Sequence, residues 1–266
     1  MADSDSRSPS AAKPAAVVAA WQEAGLKIAL RAVNPVSEDD LSRAHHARFV
    51  RAVLAREIPN GFGNTREDVA HSLPYTSGAM LDAARSALSG RIACAPVAGF
   101  HHAGYESASM FCTFNGLMVA AMRLLQDRAV RKILILDCDY HFGNGTEDII
   151  ARLGVAPQVE NVTFGRWYRN KSDAKLYLGE LQRTALRFEE YDLILYQAGA
   201  DVHVDDPLGG LLTSDQMRTR DRIVFEAAAA CGTSLAWNLA GGYQTPISKV
   251  LRLHTATMQE CERVYG

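Results

Sequence analysis

The chain has 266 residues, 48% hydrophobic and 22% charged, with a formal net charge of −2. That length buries a real core in one large domain or two small ones, and the composition is ordinary for a globular protein. The near-neutral balance argues against nucleic acid or a membrane surface as partner, since both call for a basic excess.

The opening "MADSDSRSPSAAKPAAVVAAW" carries two early aspartates and lacks the apolar centre of a secretory signal. Residues 1–12 are therefore expected to form a mobile tail ahead of a domain over 13–266. No window holds 18 uninterrupted apolar residues, so no membrane span is expected. Cys94, Cys112, Cys138, Cys231 and Cys261 are odd in number and show no CxxC spacing. They read as reduced thiols of a cytoplasmic protein.

Along the chain, β-rich runs alternate with helical patterns. The runs fall at 27–33, 91–97, 132–139, 159–164, 192–199 and 234–241. The helical patterns fall at about 13–24, 37–55, 76–89, 114–127, 146–153, 173–190, 215–231 and 245–263. Several runs are almost continuously apolar, as in parallel strands covered on both faces. This predicts an α/β fold, a mostly parallel central sheet flanked by helices on both faces. Ligands of such sheets gather beyond the carboxyl ends of the strands.

Four of those ends carry chemistry. After 91–97 comes "AGFHHAG", with His101 and His102 adjacent, where a tight turn brings both rings to a cleft as a general base and acid pair. The same "AHH" at 45–46 lies in a helical pattern, where His45 reads as packing and His46 as surface. After the third strand comes "DCDYHFGNG". In an extended chain Asp137, Asp139 and His141 share one face, and two adjacent carboxylates repel unless a cation neutralises them. A divalent metal such as zinc solves this; so does a buried ion-pair network with an arginine from elsewhere, and spacing alone leaves both open. Asp137 and Asn144, in the same stretch, suit the task of orienting the two imidazoles.

Asp201 ends "LILYQAGAD". Alone it reads as a turn former; with Asp139 and His141 it completes a three-ligand set with open positions, the mark of a catalytic site. Tyr243 follows Gly241 and Gly242, whose freedom lets the backbone bend over a ligand while the phenol donates to a developing oxyanion. Arg166, Arg169 and Lys171 make one loop locally basic, either a solvated surface or a face for an acidic substrate or partner.

Taken in order, "GFHHA", "MFCTFNG", "RKILILDCDYHFGNGTED", "LILYQAGAD", "DDPLGG" and "LAGGY" resemble the histone deacetylase family of zinc amidohydrolases, from about residue 14 to the end. The resemblance implies a single arginase/deacetylase-like domain. It implies one zinc ion on Asp139, His141 and Asp201, with His101 and His102 as the tandem histidines, the second being the general base. Asp137 and Asn144 would brace the first and second histidine in turn, Tyr243 would stabilise the transition state, and Phe111 would line the acyl channel beside Gly242. A structural potassium ion in the family uses the segment of Asp137 with Thr163 and Phe164. The implied activity is removal of an acetyl or other acyl group from an N-acylated amine: acetyl-lysine, an acetylpolyamine or an acylated metabolite.

The chain departs from the family at Phe142, where many members have a second histidine, and in the short stretch after "VTFGRW", where members usually carry a long glycine-rich loop. Either Trp167 or Tyr168 replaces the missing channel wall or the site is more open, and the sequence leaves both readings. A homo-oligomer in which a partner rebuilds it, as in the family's polyamine enzymes, stays open. Two other readings compete: a catalytically silent binding protein on the same fold, and an arginase-type hydrolase with two manganese ions.

Overall fold

A computed structural model describes Ser8 and residues 12–266; apart from these two positions, the expected tail over 1–12 lies outside the described residues. Five strands form one parallel sheet: β1 (Ile92–Ala95), β2 (Ile133–Asp137), β3 (Val159–Thr163), β4 (Leu193–Gly199) and β5 (Ser234–Ala240), in the order β1-β5-β4-β2-β3. The sheet separates two cores. Ile133 and Ile135 of β2 face one, with Leu117, Met118 and Met80, while Leu134 and Leu136 face the other, with Phe225, Trp237 and Tyr177. Burial on both faces explains why β2 and β4 read as unbroken apolar runs.

On the first face lie α2 (Glu38–Ala44), α3 (Ala47–Leu54), α4 (Glu67–Gly90), α5 (Gly116–Gln126) and α6 (Asn144–Leu153). On the second lie α1 (Lys13–Glu23), α7 (Ala174–Ala185), α8 (Ser214–Cys231) and α9 (Ser248–Tyr265). Thr213 and Gln216 form a reciprocal capping box at the start of α8, and Gly232 ends it in the left-handed conformation. No helix among the described residues is long and apolar enough to cross a membrane.

Two expectations need correction. Residues 27–33 form no strand: the segment is mostly exposed, and Ile28 to Leu30 line a cavity with Ile92 to Cys94 instead of pairing with β1. The helix expected over 37–55 is two helices, parted where His45 turns extended. The break is tertiary in origin. The His45 ring must reach the Gly104 carbonyl, and the His46 amide donates to the Tyr105 carbonyl.

Candidate active site

Strand register sets up the site. Ala95, Asn238, Gln197, Asp137 and Thr163 lie in one row across the sheet at the carboxyl end of β2. Asp137 is completely buried, and each of its oxygens takes two hydrogen bonds. Oδ1 accepts from Gln197 Nε2 at 3.0 Å and the Asp139 amide at 3.2 Å; Oδ2 accepts from the Thr163 hydroxyl at 3.2 Å and meets His101 Nδ1 at 2.8 Å. These contacts fix the carboxylate against the His101 ring. They already satisfy the carboxylate, so they do not themselves call for potassium beside Thr163; Phe164 is buried against Tyr177.

Beyond the strand end, Asp139, His141 and Asp201 converge, with one candidate ligand atom from each lying within 4.8 Å of the others. His141 Nδ1 is 2.9 Å from Asp201 and 3.2 Å from Asp139. Two glycines make room for them. A Cβ on Gly199 would lie 2.4 Å from the Asp139 Cα, and one on Gly241, at φ +52°, would lie 2.3 Å from the Asp201 carboxyl carbon. Burial alone would raise both carboxyls. For Asp139 the charges of His101 and His141 outweigh it and hold the group low, whereas Asp201, facing Asp139, is pushed up. Burial works against a charge on His141 too, yet the two carboxylates lift it to about 10. The pair therefore demands positive charge, and a carboxylate–imidazole–carboxylate set fits zinc or a similar divalent ion.

The tandem histidines stand in opposite settings, with ring centroids 4.1 Å apart. Burial lowers His102, and the neighbouring His101 charge adds to it, taking the group to about 4. Its Nδ1 meets Asn144 Oδ1 at 2.6 Å, which places the proton on Nδ1 and leaves Nε2 as a base. Burial also opposes charge on His101, but Asp137 and Asp139 outweigh it and raise the group to about 9. Two titratable neighbours pushed apart in this way divide naturally into acid and base.

Tyr243 lines the same cleft, about 40 Å³, with His101, His102, Asp139, His141, Phe111, Met110 and Leu208. Burial, then the charges of Asp201 and Asp139, raise its phenol well above the usual range, so it stays a donor. Phe111 sits 6.0 Å from the Tyr243 ring and holds φ +67°, a strained setting for an aromatic residue. Gly242, expected at the substrate, does not line the cleft; its backbone at φ +93° makes the bend, and Gly241 is the lining glycine. Trp167 also stands outside it, 71% exposed. Arg166 of the basic loop is already engaged, stacked over Phe142 and paired with Glu147 at 2.8 Å.

Three supporting residues escape sequence reasoning. Asp206 accepts from the Tyr243 amide at 2.8 Å. Gln197 holds the Phe100 amide with its carbonyl while donating to Asp137. Lys13, buried at the start of α1, donates to the Gly241 carbonyl; burial lowers it to about 8 against the pull of Asp201 and Asp139. "DDPLGG" and the apolar run around Gln197 carry signals for the first two, but nothing local marks Lys13.

Fold and donor set together define a class: an α/β protein with a candidate metal centre at the carboxyl edge of a parallel sheet. Residues 8–174 and 161–258 match the histone deacetylase domain, and the chain belongs to that family. It is 32% identical over 215 residues to an uncharacterized protein of Picosynechococcus sp., covering 74% of this chain and 71% of that one. It is 31% identical over 176 residues to the acetylpolyamine amidohydrolase of Mycoplana ramosa, covering 55% of this chain and 50% of that one. With histone deacetylase 6 of Caenorhabditis elegans it shares 28% over 174 residues, 54% of this chain and 18% of the other. The match thus spans half or less of these two named enzymes. Among solved structures, the HDA15 HD domain superposes with a TM-score of 0.75 at 22% identity, over 95% of this chain and 81% of that one. An acetylpolyamine aminohydrolase from Burkholderia pseudomallei gives 0.75 at 17%, over 96% and 91%. At such identities the likeness is one of fold.

Proposed function

We propose that residues 13–266 form the catalytic domain of a zinc-dependent amidohydrolase that removes an acetyl or other short acyl group from an N-acylated amine. The observation that carries this reading is the opposed setting of His101 and His102 beside the Asp139–His141–Asp201 donor set. Zinc bound there would supply Lewis acidity to the amide carbonyl and to the attacking water. His102, neutral and fixed by Asn144, accepts the water's proton on Nε2. The water oxygen bonds to the acyl carbon, and the Tyr243 hydroxyl donates to the carbonyl oxygen as its charge develops. His101, held by Asp137, gives a proton to the amine nitrogen as the C–N bond breaks, leaving a carboxylic acid and a free amine.

The two-manganese alternative has little support, because among the described residues one group of three metal-competent side chains converges, not two. The narrow cleft accepts the acyl end. With Trp167 turned to solvent, the amine end meets one aromatic wall, Phe111, and an open rim suited to a bulky amine.

The test is turnover of an acetyl-lysine peptide and of acetylated polyamines by the zinc-loaded chain and its Tyr243→Phe variant. The expected result is hydrolysis that falls about 10²–10³-fold in the variant while zinc stays bound. No turnover of any substrate by zinc-loaded protein would sink the reading in favour of a silent binding protein.

A further inference from the structure

Beneath the donor set, α8 carries an arginine with no exposure to solvent. Arg220 is 0% exposed and its neighbour Asp221 is 1% exposed. Nε of Arg220 donates to Asp221 Oδ1 at 2.8 Å. Asp221 is fixed in turn by the hydroxyls of Tyr196 and Thr257. The other end of the guanidinium leaves the ion pair and goes to the sheet: Nη1 donates to the Gly199 carbonyl at 2.6 Å and approaches the Cys138 carbonyl at 3.5 Å.

Those two carbonyls are no arbitrary acceptors. Cys138 follows the last residue of β2 and precedes the ligand Asp139; Gly199 is the last residue of β4, two before the ligand Asp201. The two strand ends also touch, since a Cβ on Gly199 would collide with Asp139. One nitrogen of the guanidinium, Nη1, therefore reaches both chains at the point where each turns out of the sheet toward the donor set, while Nη2 lies 2.8 Å from Asp221 Oδ1 without a hydrogen-bond partner. Stability does not account for such a group, because replacing a buried ion pair with apolar residues of similar volume is often neutral or stabilising. A rigid planar group, anchored through Nε on Asp221 and aiming Nη1 at two carbonyls, does account for it.

We propose that Arg220, anchored by Asp221, is a positioning residue of the metal centre: by holding the carbonyls of Gly199 and Cys138 it sets the separation of Asp139 and Asp201. The proposal rests on the metal-centre reading above, and the experiment separates the two. Cobalt(II) replaces zinc as a visible probe, with affinity from competition against a chelator and geometry from the ligand-field absorption band. The full chain is compared with R220M/D221N, which removes the pair without leaving an orphan carboxylate, and with R220K, which keeps the charge but loses the planar group.

The expected result is a folded double variant whose cobalt affinity is weaker by about 10–100-fold, the range typical of lost outer contacts to a metal site, with a shifted band. R220K is expected to shift the band in the same direction. A folded double variant with wild-type affinity and band overturns the proposal. Should the double variant fail to fold, a wild-type band and affinity in R220K overturns it equally. Wild-type chain that binds no cobalt refutes the metal-centre reading itself, and this inference with it.

Discussion

His45 makes the stability of the site's framework depend on pH in a calculable way. The ring is fully buried, with Nδ1 2.8 Å from the Gly104 carbonyl and Nε2 accepting the Asn115 amide at 2.8 Å. Both nitrogens are committed in the neutral ring, and a second proton would set N–H against N–H. Burial pulls its pKa from 6.5 to about 4, although the backbone contacts at Gly104 and Tyr105 favour the charge. Above pH 6.5 the ring is neutral folded or unfolded, so its full contribution is present. As the pH falls, the unfolded chain takes the proton first, and stability drains away down through the folded pKa. At about 1.4 kcal/mol per unit, about 2 kcal/mol is lost between pH 7 and pH 5 and about 3 kcal/mol by pH 4.

Urea unfolding of the wild type and His45→Gln at pH 7 and pH 5 isolates this term, because other titrating groups such as His254 are common to both. The amide of the variant can still donate to Gly104 and accept from Asn115. Its loss on acidification should be smaller than the wild type's by about 2 kcal/mol. Parallel losses would refute the reasoning. The consequence reaches the site, since Gly104 and Asn115 flank the segment that carries Phe111 and follows His102.

Three further outcomes follow from the site geometry. Asn144→Ala removes the 2.6 Å partner of His102 Nδ1 and frees its tautomer; deacylation should fall by at least about tenfold with cobalt affinity unchanged. Zinc bound at about a thousand times its Kd should stabilise the fold by about 4 kcal/mol in thermal unfolding, a gain that a chelator reverses and Asp201→Asn lacks. Gly199→Ala places a methyl group 2.4 Å from the Asp139 Cα, so cobalt binding should be lost while far-UV circular dichroism stays native-like; retained affinity would show that the strand ends yield.

Local pattern made the elements legible wherever the local and tertiary demands agree. The runs ending in Asp137 and Gly199 are apolar on both faces because both faces are covered, and they read as parallel strands directly. Residues 27–33 are β-rich in type but lie beside the outer edge of β1 without pairing to it, and periodicity cannot show that. The start of α4 at Glu67 was hidden by the turn-forming "IPNGFGNT" before it and by Pro74, which the helix accommodates. In the site, the shared face of Asp137, Asp139 and His141 is only partly realised. β2 ends at Asp137, and the next turns are held by the Asp139 amide on Asp137 and the His141 amide on Asp139. Asp137 therefore looks back at His101, and the two later residues meet Asp201.

The choice that spacing left open, metal ion or arginine, turns on where the buried cations go. The chain does bury an arginine and a lysine near the donor set, both brought there from remote helices and marked by no local pattern. Neither pairs with the ligands. Arg220 gives its charge to Asp221 and Nη1 to two carbonyls; Lys13 donates to the carbonyl of Gly241. Within ion-pair distance, Asp139 and Asp201 meet only the imidazoles of His101 and His141 among the described residues. Without a metal those imidazoles carry the compensating charge; a divalent ion would displace the His141 proton, since a ligating imidazole is neutral. The cations that would have completed a salt-bridge network are spent on fixing backbone, and the two buried carboxylates have only the imidazoles of His101 and His141 as charged partners. That combination favours a divalent ion over an ion-pair network.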